Sequence, residues 1–225
     1  MEITLSYEEY GTGFPLILLH GNGEDHRYFK HQIGPFSEHY RVLAVDTRGH
    51  GGSPRGEAPF TLFQFADDLR DFLRERGIER CPLLGFSDGA NIALIFALKY
   101  PEMVEKLVLN GANLYFEGLV DWLCREIGEK WHRLKDNWDP AARREWELQD
   151  LMMTQPDMDP AQLGALTMPV LVVAGDDDVI REEHTRLIAD SIPGSRLAIL
   201  PGDHYVARRN PEAFNPLVLD FLNFG

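Results

Sequence analysis

Short uninterrupted apolar runs alternate along this chain with segments whose apolar residues recur at helical spacing. The runs at residues 3–7, 16–19, 42–45, 82–85, 104–109, 170–174 and 197–200 predict strands. Most are apolar at every position, the pattern of strands covered on both faces. Helical spacing predicts helices over 27–36, 61–76, 88–99, 181–191 and 211–223. The clearest of them places apolar residues at 62, 65, 69, 72 and 73, one stripe along a helix that Gly77 closes. Strands alternating with helices predict an α/β fold: a mostly parallel sheet of about seven strands flanked by helices.

The alternation breaks after the strand that ends near Asn110. Residues 113–167 hold all four tryptophans, Trp122, Trp131, Trp138 and Trp146. Leu119, Trp122, Leu123, Ile127, Trp131 and Leu134 follow a helical spacing. Asp139-Pro140 marks a second start, a capping side chain followed by proline in the first turn. A stretch of about 55 residues exceeds an ordinary crossover. It is expected to be a short helical cap on a core made of 1–112 and 168–225, the whole of 1–225 forming a single domain.

Composition narrows the function classes. At 225 residues the chain suits one α/β domain with a substantial core. A formal net charge of −14 opposes binding to nucleic acid or an anionic membrane, and neither is expected as a partner. No basic, then apolar, leader opens the chain and no run reaches a membrane span, so a cytoplasmic location is expected. The two cysteines, Cys81 and Cys124, fit neither a disulfide framework nor a metal motif, and no metal site is expected.

The chemistry concentrates at strand ends. Gly85-Phe-Ser87-Asp88-Gly89 lies between a predicted strand and a predicted helix, the setting of a G-x-S-x-G nucleophile elbow. A side chain at either glycine would collide with a neighbouring element. Ser87 is the candidate nucleophile, and a serine hydroxyl needs a base, usually a histidine oriented by a carboxylate. Downstream, one strand runs into Asp176-Asp177-Asp178 and another into Asp203-His204. The order serine, acid, histidine is that of the α/β-hydrolase fold. After the second strand comes Leu18-Leu-His20-Gly-Asn22-Gly23, and after the third Asp46-Thr-Arg48-Gly-His50-Gly-Gly-Ser53.

With these motifs the chain resembles the α/β-hydrolase superfamily over almost its whole length. The resemblance implies Ser87, Asp178 and His204 as a catalytic triad, Asp176 and Asp177 being the alternative acids. It implies the backbone N–H groups of Asn22 and Asp88 as oxyanion donors, and a structural loop in which Arg48 pairs with a carboxylate. The expected activity is hydrolysis of a small carboxylic ester or related acyl compound through an acyl-enzyme, with no cofactor. C–C bond cleavage of a 1,5-diketone, lactone or thioester hydrolysis, and ligand binding without turnover are the alternatives. The elbow's Ser-Asp-Gly is similar to that of valacyclovir-hydrolase-like enzymes, so the Asp88 carboxylate either meets a cationic substrate group or bonds locally. Trp122 is the other candidate substrate contact. Either a monomer or a homodimer is expected.

Overall fold

A computed structural model describes residues 2–224. Its centre is a seven-stranded sheet in the order β1-β3-β2-β4-β5-β6-β7. The strands are β1 (Tyr7–Tyr10), β2 (Pro15–Leu19), β3 (Arg41–Val45), β4 (Cys81–Phe86), β5 (Val104–Asn110), β6 (Val170–Asp177) and β7 (Arg196–Asp203). All neighbours pair in parallel except β1, which runs antiparallel to β3 at one edge.

The continuous apolar runs have the cause the sequence suggests. On β2, Ile17 and Leu19 face a layer with Phe65, Leu69 and Phe72, while Leu16 and Leu18 face a second layer with Phe29, Phe36 and Phe214. Successive side chains point to opposite faces, and each fully buried one contributes roughly 1.5–3 kcal/mol. The first layer is carried by α2 (Leu62–Glu75) and α3 (Asp88–Lys99), the second by α1 (Ile33–Ser37) and α8 (Pro211–Phe224). Thr61 caps α2 by accepting from the Gln64 N–H at 3.1 Å. On the same helix the buried Asp68 accepts from Nε and Nη2 of the fully buried Arg48, each at 2.7 Å, the carboxylate pairing expected for that loop.

Two expected elements differ. The strand expected at 3–7 lies at Tyr7–Tyr10. Ile3 and Leu5 are buried in the core as irregular chain, whereas the residues that form the ladder to β3 are half-buried or exposed. Edge strands carry polar residues, so apolar content pointed to the wrong side of Tyr7. The single helix expected over 27–36 is a 3-10 turn at His26–Phe29 followed by the five-residue α1. Pro35 offers no N–H to a helix running through it and sits in the first turn of the new one.

Between β5 and β6 lie α4 (Asp121–Leu134) and α5 (Pro140–Thr154), with short 3-10 turns at either end. Asp139 caps α5 at the Ala141 and Ala142 N–H groups. The two helices pack on each other and lie over the carboxyl end of the sheet. Arg55 holds Glu147 with two nitrogens, Leu62 N donates to Gln155 Oε1 at 2.9 Å, and Leu119 bridges to Ile180. The chain is completed by α6 (Glu182–Ser191) and α7 (Val206–Arg209). Among the described residues no helix is long and apolar enough to cross a membrane.

Candidate active site

Ser87 occupies the turn between β4 and α3 with φ 54° and ψ −123°, a backbone conformation L-residues avoid. The turn is held by neighbours on both sides. A Cβ on Gly85 would fall on the Gly89 carbonyl, and one on Gly89 would fall on the Leu19 carbonyl of β2. Ser87 N donates to Asn110 O of β5 at 2.8 Å. Strain of this kind, about 1–3 kcal/mol, persists only where the surroundings over-determine it.

Around the serine the carboxyl ends of β4, β6 and β7 converge. His204 Nε2 lies 3.0 Å from Ser87 Oγ, and His204 Nδ1 lies 2.7 Å from Asp178 Oδ1. A carboxylate only accepts, so Nδ1 carries the hydrogen and Nε2 is free to accept the serine proton. Asp178 is itself oriented by the Ile180 N–H, which donates to Oδ1 at 2.9 Å. The alternative acids are elsewhere: Asp176 accepts from Gly202 N, and Asp177 pairs with Asp203 in the β6–β7 ladder.

Asn22 and Asp88 stand on the other flank of Ser87. Among the described residues neither backbone N–H has an acceptor within the protein. The orientation of the Asn22 amide follows from its neighbour. His20 Nε2 accepts from Thr47 N at 3.1 Å, so His20 Nδ1 is the donor to Gly21 O at 2.8 Å. Across a trans peptide the Asn22 N–H points opposite to that carbonyl. Burial holds the His20 pKa below its usual range, which keeps the ring neutral and this tautomer in place.

A cavity of about 270 Å³ opens over these groups. Its sheet side is polar, with Asn22, Glu24, Ser87, Asp88, Asn113 and His204. Its outer side is mostly apolar, with Leu119, Trp122, Leu123, Met152, Val179 and Ile180 beside Gln155. Of the four tryptophans only Trp122 reaches it. Trp131 and Trp146 pack on each other, and Trp138 is exposed. Asp88 both lines the cavity and bonds locally: Asn22 Nδ2 donates to Oδ2 at 2.9 Å and Asn91 Nδ2 to Oδ1 at 3.5 Å. Burial pushes its pKa up against those two donors. Asn22 Nδ2 also donates to Leu148 O of α5, linking the Asp88 carboxylate to the inserted helices.

Three residues here escape sequence reasoning. Glu24 resembles a loop-surface charge. Tyr205 follows the histidine and packs on Phe86. Asn91 joins Asp88 to Asn113, and its signal was available as a lone polar residue amid the apolar run of α3. Among the described residues no three His, Cys, Asp or Glu side chains are grouped to hold a metal ion.

The comparisons with known proteins agree with this architecture. The alpha/beta hydrolase fold family matches residues 15–123. Human serine hydrolase BPHL is 30% identical over 249 aligned positions, covering 98% of this chain and 83% of that protein. The putative carbamate hydrolase RutD of Caulobacter sp. (strain K31) is 29% identical, covering 92% of this chain and 90% of its own. Among solved structures, a hydrolase from Pseudomonas aeruginosa PA01 superposes with a TM-score of 0.80 at 27% identity, over 98% of this chain and 95% of that one. The chain belongs to the α/β-hydrolase family.

Proposed function

We propose that this protein is a serine hydrolase that cleaves a small carboxylic ester through an acyl-enzyme on Ser87. The observation that carries the reading is the continuous contact from Ser87 Oγ to His204 Nε2 and from His204 Nδ1 to Asp178, at 3.0 and 2.7 Å. His204 takes the hydroxyl proton as Ser87 Oγ bonds to the carbonyl carbon. The oxyanion that forms is held by the Asn22 and Asp88 N–H groups, each such donor being worth roughly two to three orders of magnitude in rate. Collapse breaks the carbonyl–oxygen bond, and His204 gives its proton to the departing alcohol. Water then repeats the sequence, releasing the acid and restoring Ser87. Asp178 keeps the imidazole in one tautomer and stabilises its charged form.

The names of the relatives support a hydrolase, and that of the Caulobacter protein brings carbamates into the range to be tried. The apolar outer wall fits a hydrocarbon acyl group. The carboxylate of Asp88 at the same cavity fits a cationic substituent on it, as in an aminoacyl ester. Hydrolysis of p-nitrophenyl esters from acetate to octanoate, wild type beside Ser87→Ala, tests the reading. Turnover lost by about three orders of magnitude or more in the variant is the expected outcome. The cavity's size predicts preference for the shorter chains. Equal rates for both proteins would refute the reading.

A further inference from the structure

Glu24 lies two residues beyond Asn22 and lines the same cavity as Ser87 and His204. Its Oε2 is buried and has no hydrogen-bond partner among the described residues. The Tyr28 hydroxyl, buried on the adjacent 3-10 turn, is likewise unpartnered. Tyr28 stacks flat on Phe86 at 4.1 Å, and Phe86 in turn packs on His204. Unpartnered buried oxygens are costly in a folded chain, and of these two residues Glu24 lines the cavity, where a ligand can satisfy its carboxyl.

The two carboxyls at this cavity sit on different elements, Glu24 on the loop after β2 and Asp88 at the start of α3. Asp88 is held by Asn22 and Asn91, and through Asn22 it is tied to α5. The groups that act on Glu24 include His204 and Arg208, the latter on α7. In the reaction above, His204 delivers its proton to the departing alcohol, so that alcohol sits beside His204. His204 acts on Asp88 as well, but Tyr28, four residues beyond Glu24, packs through Phe86 onto the His204 ring, and this puts the Glu24 loop beside the leaving group.

From this arrangement we propose that Glu24 recognises a cationic leaving group, an alcohol that carries an ammonium, on the ester cleaved at Ser87. The proposal rests on the hydrolase reading. No protein cation holds the place already: Arg208 is exposed and forms no ion pair with Glu24 among the described residues. The groups facing Glu24 are the Gly21 N–H and Asp25 on its own loop, Tyr28, His204, and Arg208 with Tyr205 at α7. The outer wall of the cavity adds apolar and uncharged polar residues only. Burial, the largest of the influences on the carboxyl, pushes its pKa up to about 7. A bound ammonium favours the ionised form, so preference for a cationic ester rises with pH through that region and fades below it.

The test compares 2-(dimethylamino)ethyl butyrate, protonated at neutral pH, with its uncharged isostere 3-methylbutyl butyrate. Both share one acyl group, so pH effects on the chemistry common to the two esters cancel in the ratio of their kcat/KM values. Wild type is expected to favour the cationic ester, increasingly between pH 6 and 8. Glu24→Gln is expected to lose about tenfold on the cationic ester, mainly in KM, with the neutral ester changed less than about twofold. Its ratio should be flat with pH. Equal losses on both esters, or a wild-type ratio that does not vary with pH, overturn the proposal. Ser87-dependent turnover of the neutral ester with no preference for the cationic one leaves the hydrolase reading standing and removes this one. Absence of Ser87-dependent turnover on either ester and on p-nitrophenyl butyrate removes both.

Discussion

A buried carboxylate with two amide donors can be an inert structural group or a recognition group, and at Asp88 the geometry allows a direct distinction. Asn22 and Asn91 supply donors to its oxygens, yet the residue still borders the cavity. An asparagine in its place keeps the size and removes the charge. Asp88→Asn is expected to lower kcat/KM for an aminoacyl ester by at least about tenfold, and for a neutral ester of equal size by less than about threefold. Matched losses in paired kinetic assays would assign the carboxylate to local hydrogen bonding alone. The main-chain N–H of the same residue is unaffected by the change, so the proposed oxyanion donor stays in place and the two roles separate.

At the scale of elements, the elbow between β4 and α3 shows why the sequence was so readable here. Its glycines, its serine and the flanking apolar runs are all dictated by one close crossing of strand, helix and β2. The positive φ of Ser87 gives a stability test independent of activity. Both variants remove the hydroxyl, but only glycine accepts that conformation freely. Ser87→Gly is therefore expected to exceed Ser87→Ala in stability by about 1 kcal/mol in urea denaturation. A Gly variant less stable than the Ala variant would show that the turn carries no strain.

Ser87, Asp178 and His204 were legible because each ends a strand in a motif of fixed spacing, and the structure brings the three together. Glu24 was not, because a charged residue after a glycine turn carries no local sign of burial. The edge strand was misplaced because its residues look outward, and the helix expected over 27–36 failed at Pro35. What the sequence conveys well is the local requirement of the backbone. What it conveys poorly is which polar groups the tertiary fold encloses.

Across the whole molecule, the enclosed titratable groups make stability depend on pH in opposing ways. His50 and His184 are held down to about 4, chiefly by burial, against an ordinary value of 6.5. Their contribution is present above pH 6.5 and is lost as pH falls toward 4, because the unfolded chain takes up protons the fold refuses. Glu24, raised to about 7 from 4.5, acts the other way. Its contribution is present below pH 4.5 and is lost as pH rises through 7. Glu24→Gln removes only the second effect. Thermal melts are expected to show the variant more stable than wild type at pH 8, with the gap closing at pH 4.5. A gap independent of pH would mean that the Glu24 carboxyl is not shifted by burial. A residue that weakens the fold at neutral pH is what a substrate-facing role allows.

The proposed chemistry depends on Ser87 being a nucleophile activated by His204. Its most direct test is intact-protein mass spectrometry after incubation with a fluorophosphonate, for wild type, Ser87→Ala and His204→Ala. One phosphonyl adduct is expected on wild type, mapped by peptide analysis to Ser87. None is expected on Ser87→Ala, and labelling of His204→Ala is expected to slow by at least about a hundredfold. An unlabelled wild-type protein, or an adduct that persists in Ser87→Ala, would contradict it.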